Sequence, residues 1–480
     1  MQLIRSLFAL VLWVVVPGWM TAAGSTPVAR PNIVFILADD LGYGDVGAFN
    51  PQSKIATPHL DRLAAGGVRF TDAHAGGSTC VPSRYGLLTG RFAARAALDM
   101  SQGPVIEDGR MTIASMLRER GYATAMVGKW HQGFVTFSDR SKGNFDPTKP
   151  LRGGPLDRGF DSFFGMHASL DIPPYFFIRD RTPLLPPTGT VPASTSEGGV
   201  EGWNNIQGAF WRAGPIAPDF KHAEVTPRFA AEAIEVIRSY GAGKREKPLF
   251  FYFALPAPHT PWLPQEEFRG KSGAGMYGDY VMQVDAVVGR VLGTLDTAGL
   301  AQDTLVFFTS DNGPVWYDKD REKFGHDSVG GWRGKKATSW EGGHRMPFIA
   351  RWPGRIAPGT TSAQTIVFSD VFATLADLVG QGSRPKGAAE DSVSFLPHLL
   401  DPARTPTPRA PIVHDPGTLR DGDWKLILPR GRARKAGKGG PADGELFNLR
   451  TDPAEAHNLW TEQPERARRM QAQLSAILGK

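Results

Sequence analysis

Residues 32–45 read NIVFILADDLGYGD. From Asn32 to Ala38 the run is nearly continuous and apolar, the pattern of a strand buried on both faces. It stops at two acids, Asp39 and Asp40. Residues 304–313, TLVFFTSDNG, repeat the scheme and stop at Asp311 and Asn312. A third run, PLFFYFAL at residues 248–255, is equally apolar. Between the runs lie helical patterns: TPHLDRLAA, in which Thr57 precedes Pro58 as N-cap before a proline at the first helical position, then TIASMLRE, FAAEAIEVIRSY and YVMQVDAVVGRVLGTLDT. Strands alternating with helices predict an α/β fold with a largely parallel sheet.

In open α/β sheets ligands gather outside the carboxyl ends of the strands. Two such ends would bring Asp39, Asp40, Asp311 and Asn312 to one place. Three carboxylates and an amide oxygen suit a hard cation, calcium or magnesium, rather than zinc. Without a cation the carboxylates would repel and raise one another's pKa. Each pair taken alone reads first as a turn, since Asp and Asn favour turns, and it is the echo between the two that sets a shared site beside that reading.

The remaining composition sets limits. The chain has 480 residues and a formal charge of +6, with basic residues scattered except in PRGRARKAGKGG. That balance suits an anionic substrate, and no nucleic-acid motif is present. The basic cluster reads as a solvated hairpin tip. Residues 1–24 have a basic start, a short apolar core and a small-residue end, the form of a signal peptide. Export to a periplasmic or extracellular space is expected, or to the lysosomal or secretory route of a eukaryote, with no membrane span after cleavage. A catalytic α/β domain is expected over residues 25–384, and a small antiparallel α+β domain over residues 385–480. The Pro- and Gly-rich stretch after residue 140 is too long for an ordinary connection and reads as a functional loop region.

Cys80 is the only cysteine, so no internal disulfide can form. It opens CVPSRYGLLTGR at residues 80–91, where Pro82 fits the first turn of a helix. A helix N-terminus favours anions and lowers a thiol's pKa, and Arg84 offers a forked donor to an oxyanion. These residues leave three readings open: a small buried hydrophobe, a thiolate nucleophile, or a cysteine awaiting modification.

The form Cys-x-Pro-Ser-Arg-x-x-x-Leu-Thr-Gly-Arg resembles the signature of the formylglycine-dependent sulfatases, relatives of alkaline phosphatase. NIVFILADDLGYGD, GKWH at 128–131, RGFDSFFG at 158–165, APHTPW at 257–262, SDNG at 310–313, RGKKATSWEGGHRMP at 333–347 and ELFNLRTDPAEAHNL at 445–459 follow in the family's order.

The resemblance implies an alkaline-phosphatase-like mixed sheet and a sulfuric ester hydrolase. It implies that a maturation enzyme oxidises Cys80 to formylglycine, whose hydrate attacks sulfur. Asp39, Asp40, Asp311 and Asn312, with residue 80, resemble the family's ligands to a cation, calcium ahead of magnesium. Arg84 would stabilise the hydrated aldehyde, Lys129 would contact it, and His131 would assist release of sulfate. If GKWH is extended, Lys129 and His131 share a face. His259 and Lys336 resemble the pair that binds sulfate and protonates the leaving oxygen. Lys335 stands beside Lys336; the family's lysine lies five before the Glu of its Glu-Gly-Gly motif, here Glu341, so the resemblance selects Lys336. His167 and Asp171, in GMHASLDIPPYFF, are candidate sugar contacts.

The expected substrate is a sulfated carbohydrate, with aryl sulfates as artificial substrates. Two alternatives stand beside this: a phosphodiester or phosphonate monoester hydrolase of the same superfamily, and a non-catalytic protein that binds sulfated glycan.

Overall fold

The computed structural model describes residues 30–96, 98–99, 103–135, 146, 149–380, 385, 387–429 and 444–479. The expected signal peptide and most of the basic cluster lie outside the described residues, as does residue 384, where the domain boundary was expected.

The apolar run Asn32–Ala38 is the hub of a ten-stranded sheet. It pairs in parallel with Leu249–Ala254 on one side and Thr304–Ser310 on the other. Ala123–Lys129 and Ser162–Met166 continue the parallel set outward. Every residue of the three central strands is buried, which explains why their sequences show no alternation. Beyond Thr304–Ser310 the sheet turns mixed: Phe348–Arg351 is antiparallel, then Val68–Phe70 and Thr360–Ser362 complete that edge. The long helices Val225–Ala242 and Gly275–Thr297 pack on the sheet through faces that include Phe229, Ile237, Val284 and Val288, all fully buried. Helix Pro58–Ala65 starts where expected, but Thr57 makes no capping bond. Its hydroxyl instead accepts from Gly47 N at 2.9 Å.

The strands are pressed together where they end. A Cβ on Gly128 would meet the Ala254 carbonyl oxygen at 1.9 Å, and one on Gly165 would meet the Gly128 carbonyl oxygen at 1.9 Å. Only glycine fits this approach, and Gly128 also takes a φ of +116°.

Residues Pro31–Lys480 form a single compact unit. Within it, Ile412–Asp415, Thr418–Asp421, Trp424–Ile427 and Glu445–Asn448 make a separate four-stranded antiparallel sheet, covered by helix Pro464–Leu478 through Ala467, Met470 and Leu474. The architecture is therefore the expected one: a large, mostly parallel sheet with helices and a small C-terminal antiparallel sheet.

The seam between the two sheets holds buried polar groups. His344 and His414 stack with centroids 3.9 Å apart, and His74 Nδ1 lies 3.1 Å from His344 Nδ1. The three rings have the spacing of metal ligands. Fixed cations already press on them, however: Arg420 stands 2.6 Å from His74 Nε2 and Lys425 3.0 Å from His344 Nε2. Lys425 in turn joins Glu341 and Glu455 at 2.9 and 2.8 Å.

Burial, reinforced by the neighbouring imidazoles and Lys425, holds His344 and His414 well below the usual histidine range. A base depressed in the fold is protonated first in the unfolded chain, so its contribution is lost as pH falls below about 6.5. Replacing His414→Gln should flatten the decline of unfolding free energy between about pH 6.5 and 4.5, by up to ~1.4 kcal/mol per pH unit for one proton. Urea titrations of both proteins across that range check this. Equal slopes would contradict it.

Candidate functional site

The five parallel strands all deliver their carboxyl ends to one edge, and the sequence motifs lie just past those ends. Ala38 pairs with Ser310, so Asp39-Asp40 and Asp311-Asn312 emerge side by side. Asp40 holds φ at +64°, a left-handed conformation that Asp tolerates better than most residues. Its backbone N donates to Asp311 Oδ1 at 3.2 Å, and Leu41 N donates to Ser310 Oγ at 2.8 Å. The turn is thus held open toward the neighbouring strand end. Asn312 Nδ2 donates to Asp40 Oδ1 at 2.6 Å.

Three cations interleave with the three carboxylates. Arg84 is fully buried and forks onto Asp311 Oδ2, with Nε at 2.9 Å and the terminal nitrogen at 2.8 Å. It also lies 3.6 Å from Asp39. Lys129 Nζ bonds Asp39 Oδ2. Lys336 Nζ lies 2.7 Å from the Asp40 carboxylate and keeps 16% side-chain exposure. Burial, then the adjacent Asp39, raises the Asp311 carboxyl. The repulsion expected among the acids is present, and arginine and lysine oppose it.

Cys80 is the first residue of helix Cys80–Thr89, with Pro82 in the first turn as expected. Its sulfur, one Asp39 oxygen and one Asp311 oxygen lie within 4.8 Å of one another. The helix terminus does not produce a reactive thiolate here. Burial pushes the thiol up, against the pull of Lys129 and Lys336. Of the three open readings, the thiolate nucleophile is the one this environment disfavours.

The residues fit a divalent cation. Among the described residues, Asp39 Oδ1 and Asn312 Oδ1 are buried oxygens without a hydrogen-bond partner. Buried polar atoms are normally paired, so two orphaned oxygens in a cluster of acids point to an ion that would bind them. The three carboxylates are already balanced by three protein cations, so a divalent ion would leave the pocket net positive. That favours an anionic ester.

His259 reaches the same edge from the segment after Leu249–Ala254. The Thr260 carbonyl lies 2.6 Å from its Nδ1, and because a carbonyl can only accept, Nδ1 carries the hydrogen. Nε2 is left facing Asp40 at 3.7 Å. Asp171 stands 3.9 Å from Nδ1 and is bonded by Arg212. Burial opposes ionisation of Asp171, but His259, Arg212 and Lys336 outweigh it and hold its pKa low.

The other predicted residues distribute as follows. Lys335 and Lys336 diverge: Lys336 meets Asp40, whereas Lys335 Nζ sits 4.6 Å over the Tyr317 ring. His131 does not share an extended face with Lys129. The strand ends at Lys129, and His131 takes φ +55°, its backbone N donating to His167 O at 3.0 Å. The His167 ring stacks on Phe176 and lies 2.9 Å from Pro174 O through Nε2. Arg212 is a neighbour of the site that the sequence did not suggest, because it comes from the Pro- and Gly-rich region where no motif marks it.

The description "Sulfatase" is that of a family model matching residues 31–381. The chain belongs to the sulfatase family, and is a sulfuric ester hydrolase. This sulfatase is 34% identical to a Bacteroides thetaiotaomicron protein named N-acetylgalactosamine-6-O-sulfatase, over 93% of each chain. It is 33% identical to human arylsulfatase A, covering 91% of this chain and 85% of that one. A solved Bacteroides thetaiotaomicron structure, from work on the metabolism of multiple glycosaminoglycans, superposes with a TM-score of 0.80 at 32% identity, covering 94% of this sulfatase and all of that chain. No helix among the described residues is long and apolar enough to cross a membrane.

Proposed function

We propose that this sulfatase is exported and removes sulfate from a glycan, with Cys80 converted to formylglycine and calcium as the resident cation. The observation that carries the reading is the meeting of Asp39, Asp40, Asp311, Asn312 and Cys80 at one buried sheet edge, backed by Arg84, Lys129 and Lys336. With residue 80 as a formylglycine hydrate all the ligands are oxygen donors, and their arrival from separate segments suits the flexible shell of calcium better than the strict octahedron of magnesium.

Bound there, the cation supplies Lewis-acid polarisation of the ester. A formylglycine hydrate at residue 80 supplies a hydroxyl nucleophile where a buried thiol would be a poor one. The chain's own groups do the remaining work. Arg84 opposes the burial that raises the Asp311 carboxyl and holds it in place, where Asp311 can accept a hydroxyl proton at residue 80. Lys129 fixes Asp39 and faces residue 80. Lys336 and His259 bind the sulfate oxygens, and as the S–O bond breaks the proton for the leaving alcohol comes from this pair, with His259 Nε2 turned toward the site. Such a proton donor contributes about 10²–10⁴-fold. His131 serves the release of sulfate from residue 80. Asp171, tied to Arg212, steadies the His259 ring, and with His167 it lines the approach to the site. A maturation enzyme that recognises the Cys80–Arg84 segment is the implied partner.

The relatives named for N-acetylgalactosamine-6-sulfate support a 6-sulfated amino sugar as the first substrate to try. The test is sulfate release from a panel of sulfated oligosaccharides and an aryl sulfate, beside phosphodiester and phosphonate esters. Mass analysis of the peptide bearing residue 80 should show CH2SH replaced by CHO. Faster turnover of the phosphorus esters than of every sulfate, or an unmodified cysteine in active enzyme, would overturn the proposal. Replacing Asp311→Ala should lower bound calcium from about one ion per chain to near zero by elemental analysis. Unchanged metal content would refute the ligand set.

A further inference from the structure

A second cleft of roughly 430 Å³ is built by the same two segments that feed the carboxylate edge. The chain following Asn312 supplies Tyr317, and the loop carrying Lys336 supplies Lys335 and Trp340, with Trp332 in the wall between them. The segments are joined where Lys336 N donates to Pro314 O at 3.0 Å. Lys335 and Lys336 are consecutive, and the loop sends Lys336 to the carboxylate edge and Lys335 into this cleft.

The groups in this cleft are not equally occupied. Arg333 stacks on Trp340 at 3.9 Å and donates to Glu455 O at 2.7 Å, so it is committed to holding the wall. Arg321 is paired with Asp327 at 3.1 Å. Lys335 has only the Tyr317 ring beneath its ammonium, with no carboxylate at ion-pair distance among the described residues. Burial lowers its pKa, and Asp318 is the one acid acting against that. A half-buried cation over an aromatic face, in a cleft walled by indoles, lacks an anion. Indole faces stack on the C–H faces of sugars, and an ammonium pairs with a carboxylate or sulfate.

We propose that this cleft is a subsite for the sugar adjoining the sulfated one, and that it selects an anionic sugar, a uronate or a second sulfate ester, through Lys335. The proposal rests on the glycan reading above. The ordering is physical: Lys336 holds the reacting ester and Lys335 reads its neighbour.

The test compares kcat/KM on 6-sulfated disaccharides whose second sugar is a uronate, a sulfated sugar or a neutral sugar, each taken as a ratio to an aryl sulfate. In Lys335→Met the ratio for an anionic neighbour should fall about tenfold, chiefly through KM, the loss expected for one charge-assisted contact. The neutral disaccharide should show no such fall, and Lys335→Arg should keep most of the preference. The two anionic arms show whether carboxylate or sulfate is preferred. Tyr317→Leu, which removes the ring beneath the ammonium, provides a second variant and should lower the same ratio. Unchanged ratios in both variants, with glycans still turned over, would overturn the subsite alone. Failure of the unmodified enzyme to release sulfate from any glycan, with aryl sulfate still cleaved, would overturn the subsite and the glycan reading together.

Discussion

Replacing Cys80→Ala should reduce sulfate release by at least about 10⁴-fold while the protein unfolds at nearly the temperature of the parent, since loss of a covalent nucleophile removes the pathway and not one contact within it. The structural argument for an intact fold is local. Cys80 sits at the first position of its helix, 7% exposed, and its sulfur faces the carboxylate edge. Alanine suits a helix, and removing one sulfur from a polar site costs about 1 kcal/mol or less, far below a large core truncation. The measurement is sulfate release by ion chromatography beside a thermal melt. Full turnover in the variant would remove the formylglycine proposal. A melt lowered by tens of degrees would mean that Cys80 is a packing residue.

Replacing Arg84→Met should lower stability by about 3–5 kcal/mol, because it strips the buried counter-charge from Asp311 and Asp39 while keeping comparable bulk. Arg84 has no solvent contact, and its neighbours are carboxylates on two strand ends. The lost cation can be replaced only by protonating an acid or by binding a metal. Part of the deficit should therefore return with excess calcium and reappear with chelator. Denaturant titrations in both conditions check this. A loss below about 1 kcal/mol in chelator would show that the pair contributes little net stability, as some buried ion pairs do.

Much of the fold was legible because the three central strands are buried on both faces, and such strands advertise themselves as plain apolar runs. Their acidic ends were legible because a strand leaving a sheet must change character where it reaches the site. The choice of Lys336 over Lys335 comes from the family resemblance at Glu341, and the structure separates the two by the direction of their side chains. Less could be read where the chain departs from regular geometry. His131 follows a strand end in a left-handed conformation, so alternation along a strand says nothing about it. The histidines at the seam come from positions 74, 344 and 414, and no local pattern links them. Arg212 arrives from a region without periodicity, where neither motif nor propensity marks a residue.

The carboxylate edge draws on residues 39–40, 80 and 311–312, with Asp39 and Asp311 meeting only because Ala38 pairs with Ser310. Closing so long a loop is slow, and no early fragment of the chain holds the ligand set. A cation therefore cannot template folding from the start. A cation bound there would enter a sheet already assembled and act as a latch, holding the finished protein together by slowing its unfolding more than by hastening its formation.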